Sequence, residues 1–159
     1  MKRIALILSL IFFLCSCTSD NSEKRLFCKA LGFDADDGKI IVTALFSHAG
    51  KDSPENEEKS LVTMAYDNPK QAGDALTADF ENVLYKPLEI MVFGESVDEK
   101  TKRDILSQLV NHSEFQLKCT VSEKADAKAY IAENGEKQKD GMMFSQYYRK
   151  NFAKGDSDE

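Results

Sequence analysis

The chain has 159 residues, 42% apolar and 30% charged, with ten Phe, five Tyr and no Trp. That length fits one modest domain, and the apolar share excludes a disordered or collagen-like chain. With a net charge of −6 and no visible basic stripe, the sequence argues against a nucleic-acid surface, because phosphate contact needs a basic field.

The N-terminus reads as a lipoprotein signal peptide. Lys2 and Arg3 form a positive n-region, and Ile4 to Leu14 is apolar apart from Ser9. This h-region of 11 residues is too short for a membrane span, which needs about 20. It ends in Leu14-Cys15-Ser16-Cys17, the form of a lipobox, in which the final thiol is alkylated by diacylglycerol before cleavage makes it the new N-terminus. The alternative is a soluble secreted protein cut nearby. Residues 1–16 are thus the expected signal peptide and residues 17–25 the lipidated Cys17 with a polar tether, Thr18 to Lys24. Cleavage removes Lys2 and Arg3 and no acid, taking the net charge from −6 to −8. Attachment to a membrane then rests on lipid chains and not on a basic patch.

Leu26 to Phe33 and Lys39 to Phe46 are apolar, β-branched-rich runs separated by Asp34-Ala35-Asp36-Asp37-Gly38, a hairpin signal because Gly supplies positive φ. Ser47 to Lys59, with Gly50, Pro54 and four acids, reads as a solvated loop, and Leu61 to Tyr66 as a third strand. Asn68 and Pro69 then form a helix start. Ala72, Ala75, Leu76, Phe80, Val83 and Leu84 continue at helical spacing. Leu88 to Phe93, closed by Gly94, predicts a central strand buried on both faces. From Asp98 to Asn111 a helix carries Ile105, Leu106, Leu109 and Val110 on one side. Phe115, Leu117, Cys119 and Val121 alternate as a half-buried strand. Ser122 is placed to cap a third helix bearing Ala125, Ala129 and Ile131.

Residues 26–132 therefore form the expected domain: α+β, one mixed sheet of about five strands with about three packing helices. Residues 133–159 comprise a polar linker, an amphipathic helix over Met142 to Ala153 and an acidic end. That helix places Phe144, Tyr147, Tyr148 and Phe152 at helical intervals. It either packs back on the domain or offers a partner-binding face.

Cys15 leaves with the signal peptide, so Cys28 and Cys119 remain inside the fold. An exported pair invites a disulfide, provided their strands are near neighbours; the alternative is two buried free thiols. The residues offer little else for chemistry. His48 and His112 both read as surface residues, and there is no nucleophile elbow at Gly94-Glu95-Ser96-Val97. Zinc ligands lack a close pair. Asp34, Asp36 and Asp37 before Gly38 read as a hairpin turn, since a calcium loop needs a bidentate Glu at its twelfth position. Singly placed glycines exclude a phosphate loop. No enzymatic site, cofactor or metal is expected.

The order of motifs resembles the N-terminal domain of the Ger(x)C, or GerAC-type, spore germination lipoproteins. The resemblance is carried by Cys17, by Leu31-Gly32-Phe33-Asp34, by Gly73-Asp74-Ala75-Leu76, by Leu88-Glu89-Ile90-Met91-Val92-Phe93-Gly94-Glu95, and by Ala125 through Ile131. It spans roughly Leu26 to Ile131. Two positions depart from the pattern, Pro87 where His is common and Glu89 where Lys is common, and the family's chains continue into further domains. The resemblance implies a non-catalytic subunit of a germinant receptor, lipidated at Cys17 and held on the extracytoplasmic face of the spore inner membrane. Its implied partners are the membrane and the integral A- and B-type receptor subunits. The competing expectation is a stand-alone envelope lipoprotein with an apolar pocket for a small ligand.

Overall fold

A computed structural model describes residues 26–48, 59–78, 83–84, 88–110, 118–135 and 140–152. Its first hairpin is set by two residues, Asp37 and Gly38, with φ of 46° and 75°. A left-handed pair is what a two-residue turn needs to match the twist of its strands. The strands therefore run further than their apolar cores suggest: β1 is Leu26–Asp36 and β2 is Lys39–His48. Only two of the five residues expected in the turn belong to it.

β1 carries a bulge at Lys29, the extra residue between the pairs Cys28↔Phe46 and Ala30↔Leu45. The bulge resets the alternation, so Cys28, Leu31 and Phe33 all enter the larger core cluster. β3 (Lys59–Tyr66) pairs antiparallel with β2 along its whole length.

α1 (Pro69–Ala78) begins at Asn68, whose Oδ1 accepts from the Gln71 amide at 2.9 Å, while Gln71 Oε1 accepts from the Asp67 amide at 3.1 Å. This nearly reciprocal cap stops the chain from continuing β3. The helical spacing predicted through Leu84 is overturned at Val83 and Leu84. Val83–Leu84 is a short strand, β4, parallel to the start of β1. Both states satisfy an apolar pair, and here the open edge of β1 takes it.

β5 (Ile90–Gly94) is buried throughout and runs parallel to β1 on one side and β6 (Thr120–Lys124) on the other. Between β5 and β6 the chain forms α2 (Glu99–Val110), capped by Asp98 Oδ1 accepting from the Thr101 amide at 2.7 Å. α3 is Ala127–Asn134, and its cap is Asp126, not Ser122. Ser122 sits inside β6 with its hydroxyl buried. β7 (Met142–Met143) pairs antiparallel with β6 and leads into α4 (Phe144–Phe152).

The result is α+β, a single mixed sheet in the order β3-β2-β1-β5-β6-β7, with β4 beside β1. Along each strand alternate side chains go to opposite faces. On one face Phe33, Val42, Phe46, Met91, Phe93 and Val121 pack with Leu76 of α1, Ile105, Leu106 and Leu109 of α2, and Phe144 and Tyr147 of α4. On the other a smaller cluster joins Ala30, Leu45, Ile90 and Val92 to Ala127 and Ile131 of α3. The C-terminal helix thus packs back on the domain.

Candidate functional site

Three parallel strands, β1, β5 and β6, end at the same edge of the sheet, the place where ligands of open α/β sheets usually bind. On the α3 face of this edge Asp34 dominates. Its Oδ1 accepts from the Ala127 amide at 2.9 Å and its Oδ2 from the Lys128 amide at 3.0 Å. Asp126 accepts from the Ala129 amide at 2.7 Å. Two carboxylates therefore neutralise three of the donors that the first turn of α3 leaves without helical partners. The space for Asp34 is made at Gly94, where a β-carbon would overlap its carboxylate. A neighbouring glycine, Gly32, lets α3 lie against the strand, since a β-carbon there would stand 2.7 Å from Ile131 Cδ1. The Ala35 amide donates to Ser96 Oγ at 2.9 Å and the Glu95 amide to the Lys124 carbonyl at 2.9 Å, closing the loop after β5 over the edge.

The opposite face of the same edge holds a polar cluster under α2 and α4. Lys102, 4% exposed, donates from Nζ to Glu99 Oε1 and Glu123 Oε2, both at 2.9 Å. The Tyr147 hydroxyl donates to Glu123 Oε1 at 2.7 Å. The ring of Tyr147 stacks on Phe93, which stacks on Phe33. Burial pushes the Lys102 pKa down, but hydrogen bonds and charge from Glu123 and Glu99 outweigh it and hold the ammonium above its ordinary range. For Glu123, burial raises the pKa and the bonds from Lys102 and Tyr147 outweigh it, leaving the carboxyl below its usual value. Burial first and then Glu123 push the Tyr147 phenol well above a normal tyrosine.

In both clusters each carboxylate oxygen of Asp34 and Glu123 is already taken by a donor from another element. The arrangement locks three helices, α2, α3 and α4, onto the strand ends.

No family model, curated protein or solved structure matches the chain.

Cys17, the expected lipidation site, and His112 lie outside the described residues. His48 is the last residue of β2. Asp36 and Asp37 are exposed at the hairpin, apart from Asp34, and among the described residues no three His, Cys, Asp or Glu side chains are grouped to hold a metal ion. Cys28 and Cys119 both enter the larger core cluster but are free thiols. Of the two alternatives the structure shows the buried free thiols: β5 lies between β1, which carries Cys28, and β6, which Cys119 immediately precedes, so the two stand about two strand spacings apart, about 10 Å, beyond the reach of a disulfide. Cys28 Sγ donates instead to the Ala30 carbonyl at 3.6 Å. Burial pushes both thiols up, Cys119 to about 12.

The Lys102 cluster was not singled out by sequence reasoning, although a signal exists. Lys102 stands three, four and seven residues before Ile105, Leu106 and Leu109, on the apolar stripe of α2, where an unpaired lysine is not tolerated. Among the described residues no helix is long and apolar enough to cross a membrane.

Proposed function

We propose that the protein is a membrane-anchored lipoprotein of the extracytoplasmic face with a non-catalytic role in receptor assembly or signalling, as the resemblance to C-type subunits of spore germinant receptors implies. The observation that carries the anchoring is Leu14-Cys15-Ser16-Cys17 at the end of a short h-region. Lipid at Cys17 and the short polar tether confine the domain near the bilayer. Confinement raises its effective concentration toward an integral partner without tight intrinsic affinity.

Two features of the fold support a scaffold. Leu31-Gly32-Phe33 and Met91-Val92-Phe93, parts of two segments that carry the resemblance, lie side by side on β1 and β5. Asp34 and Gly94 there form one device that seats α3. The resemblance is therefore one of structural parts, consistent with a domain whose function is carried by its shape. The ionic clusters at the strand ends are likewise committed to holding helices.

The test is affinity purification of the tagged full chain from detergent-solubilised spore membranes, with Cys17→Ala as the control. Recovery of integral receptor subunits with the wild type and their loss with Cys17→Ala is the expected result. Presence in the vegetative envelope with no receptor subunit recovered overturns the germination role.

A further inference from the structure

β3 is the outermost strand of the sheet, and among the described residues only β2 pairs with it. Natural edge strands are kept from pairing by proline, charge, bulges or shortness. β3 has eight residues in unbroken register with β2, and between Ser60 and Tyr66 it carries neither a charge nor a proline. It exposes apolar side chains on both faces: Leu61 is 40% and Val62 37% accessible. In a chain of net charge −6 this is an acid-free stretch, along which two like-charged copies approach with least repulsion.

The segment is also self-complementary. In an antiparallel pair, residues directly opposite share a face, so a strand meeting its own copy about a two-fold axis must place residues of equal parity across from each other. With the axis at Thr63, Val62 faces Met64 on the face shared with α1, and Leu61 faces Ala65 on the other. Ser60 then faces Tyr66, and Lys59 meets Asp67 at both ends. Apolar meets apolar, opposite charges meet, and Thr63 meets itself, a favourable cross-strand pair. Residues 49–58, which lead into β3, are Ala, Gly, Lys, Asp, Ser, Pro, Glu and Asn, with little apolar content to pair along it.

We propose that β3 is a homodimer interface, two copies joining their sheets edge to edge in antiparallel register about Thr63. The reading is independent of the receptor role, since it rests on β3 alone.

The full chain, lipidated and extracted in detergent, is expected to sediment as a dimer. Val62→Lys, a change at an exposed position, is expected to return it to a monomer with an unchanged circular dichroism spectrum. Thr63→Cys places two thiols across the axis, with Cα atoms about 5 Å apart, so mild oxidation should trap a covalent dimer that is lost when Val62→Lys is added. Lys59→Cys is the control, because its two copies stand roughly 26 Å apart in this register. A monomeric wild type overturns the proposal. So does crosslinking of Lys59→Cys to the same extent as Thr63→Cys, which reports random collision in the micelle.

Discussion

Asp34 and Gly94 meet across neighbouring parallel strands, and the carboxylate of the first occupies the place of the side chain that the second lacks. From there Asp34 reaches the amides of Ala127 and Lys128, more than ninety residues on. Gly94→Ala is expected to destabilise the protein by about 1–3 kcal/mol through overpacking, and Asp34→Ala by about 0.5–2 kcal/mol through loss of the cap. Because the alanine at 94 acts by displacing the carboxylate, the two losses should not add. Urea unfolding of both single variants and the double variant measures the coupling, and strict additivity would refute the contact as the cause.

The Lys102, Glu123 and Tyr147 cluster predicts stability limits at both ends of the pH scale. Glu123 has a lowered pKa in the fold, so its contribution is present above the ordinary glutamate value, about 4.3, and disappears as pH falls through the lowered one. Tyr147 and Lys102 have raised values; their contributions are complete below the ordinary values, about 10 to 10.4, and are lost as pH rises through the raised ones. Glu123→Gln should flatten the acid limb of unfolding free energy against pH. An acid limb unchanged in that variant would place its origin elsewhere.

Tyr147→Phe keeps the stacking on Phe93 and removes only the hydroxyl that donates to Glu123. A cost of about 1 kcal/mol is expected, less than a fully buried charged bond because Glu123 is partly exposed. In absorbance titration the Tyr147 phenol should ionise well above the ordinary tyrosine range in the wild type, and that late step should vanish in the variant.

Cys28 and Cys119 are buried thiols with raised pKa values, and the thiolate is the reactive form. Alkylation at pH 8 should leave both unmodified in the native protein and modify both in denaturant. Peptide mapping without reduction should show no link between them. Native-state labelling of either, or a linked peptide, would contradict their placement.

Gly38 occupies a φ of 75°, where a β-carbon is strained. Gly38→Ala should cost about 1 kcal/mol, whereas Asp37→Asn should be nearly neutral because Asn tolerates the left-handed region. Thermal unfolding distinguishes the two.

Local chemistry settled much of this protein in advance. The Asp37-Gly38 turn, the Asn68 cap, the helix start at Asp98 and the doubly buried β5 each depend on residues within a few positions of one another, so period and turn chemistry disclose them. The lipobox is read in the same way, from contiguous residues. What only the tertiary structure decided are choices between local options of similar energy. Val83 and Leu84 fit a helix as well as a strand until the free edge of β1 claims them. Ser122 and Asp126 are both capable caps, and β6 pairing holds Ser122 in the sheet. The cysteines share one core face yet stay apart because β5 inserts between β1, which carries Cys28, and β6, which Cys119 precedes. Asp34, in a run of acids that resembles only a turn, becomes the cap of a distant helix. Such long-range contacts form because buried donors and charges must be paired wherever the chain brings a partner within reach, and no local pattern names that partner.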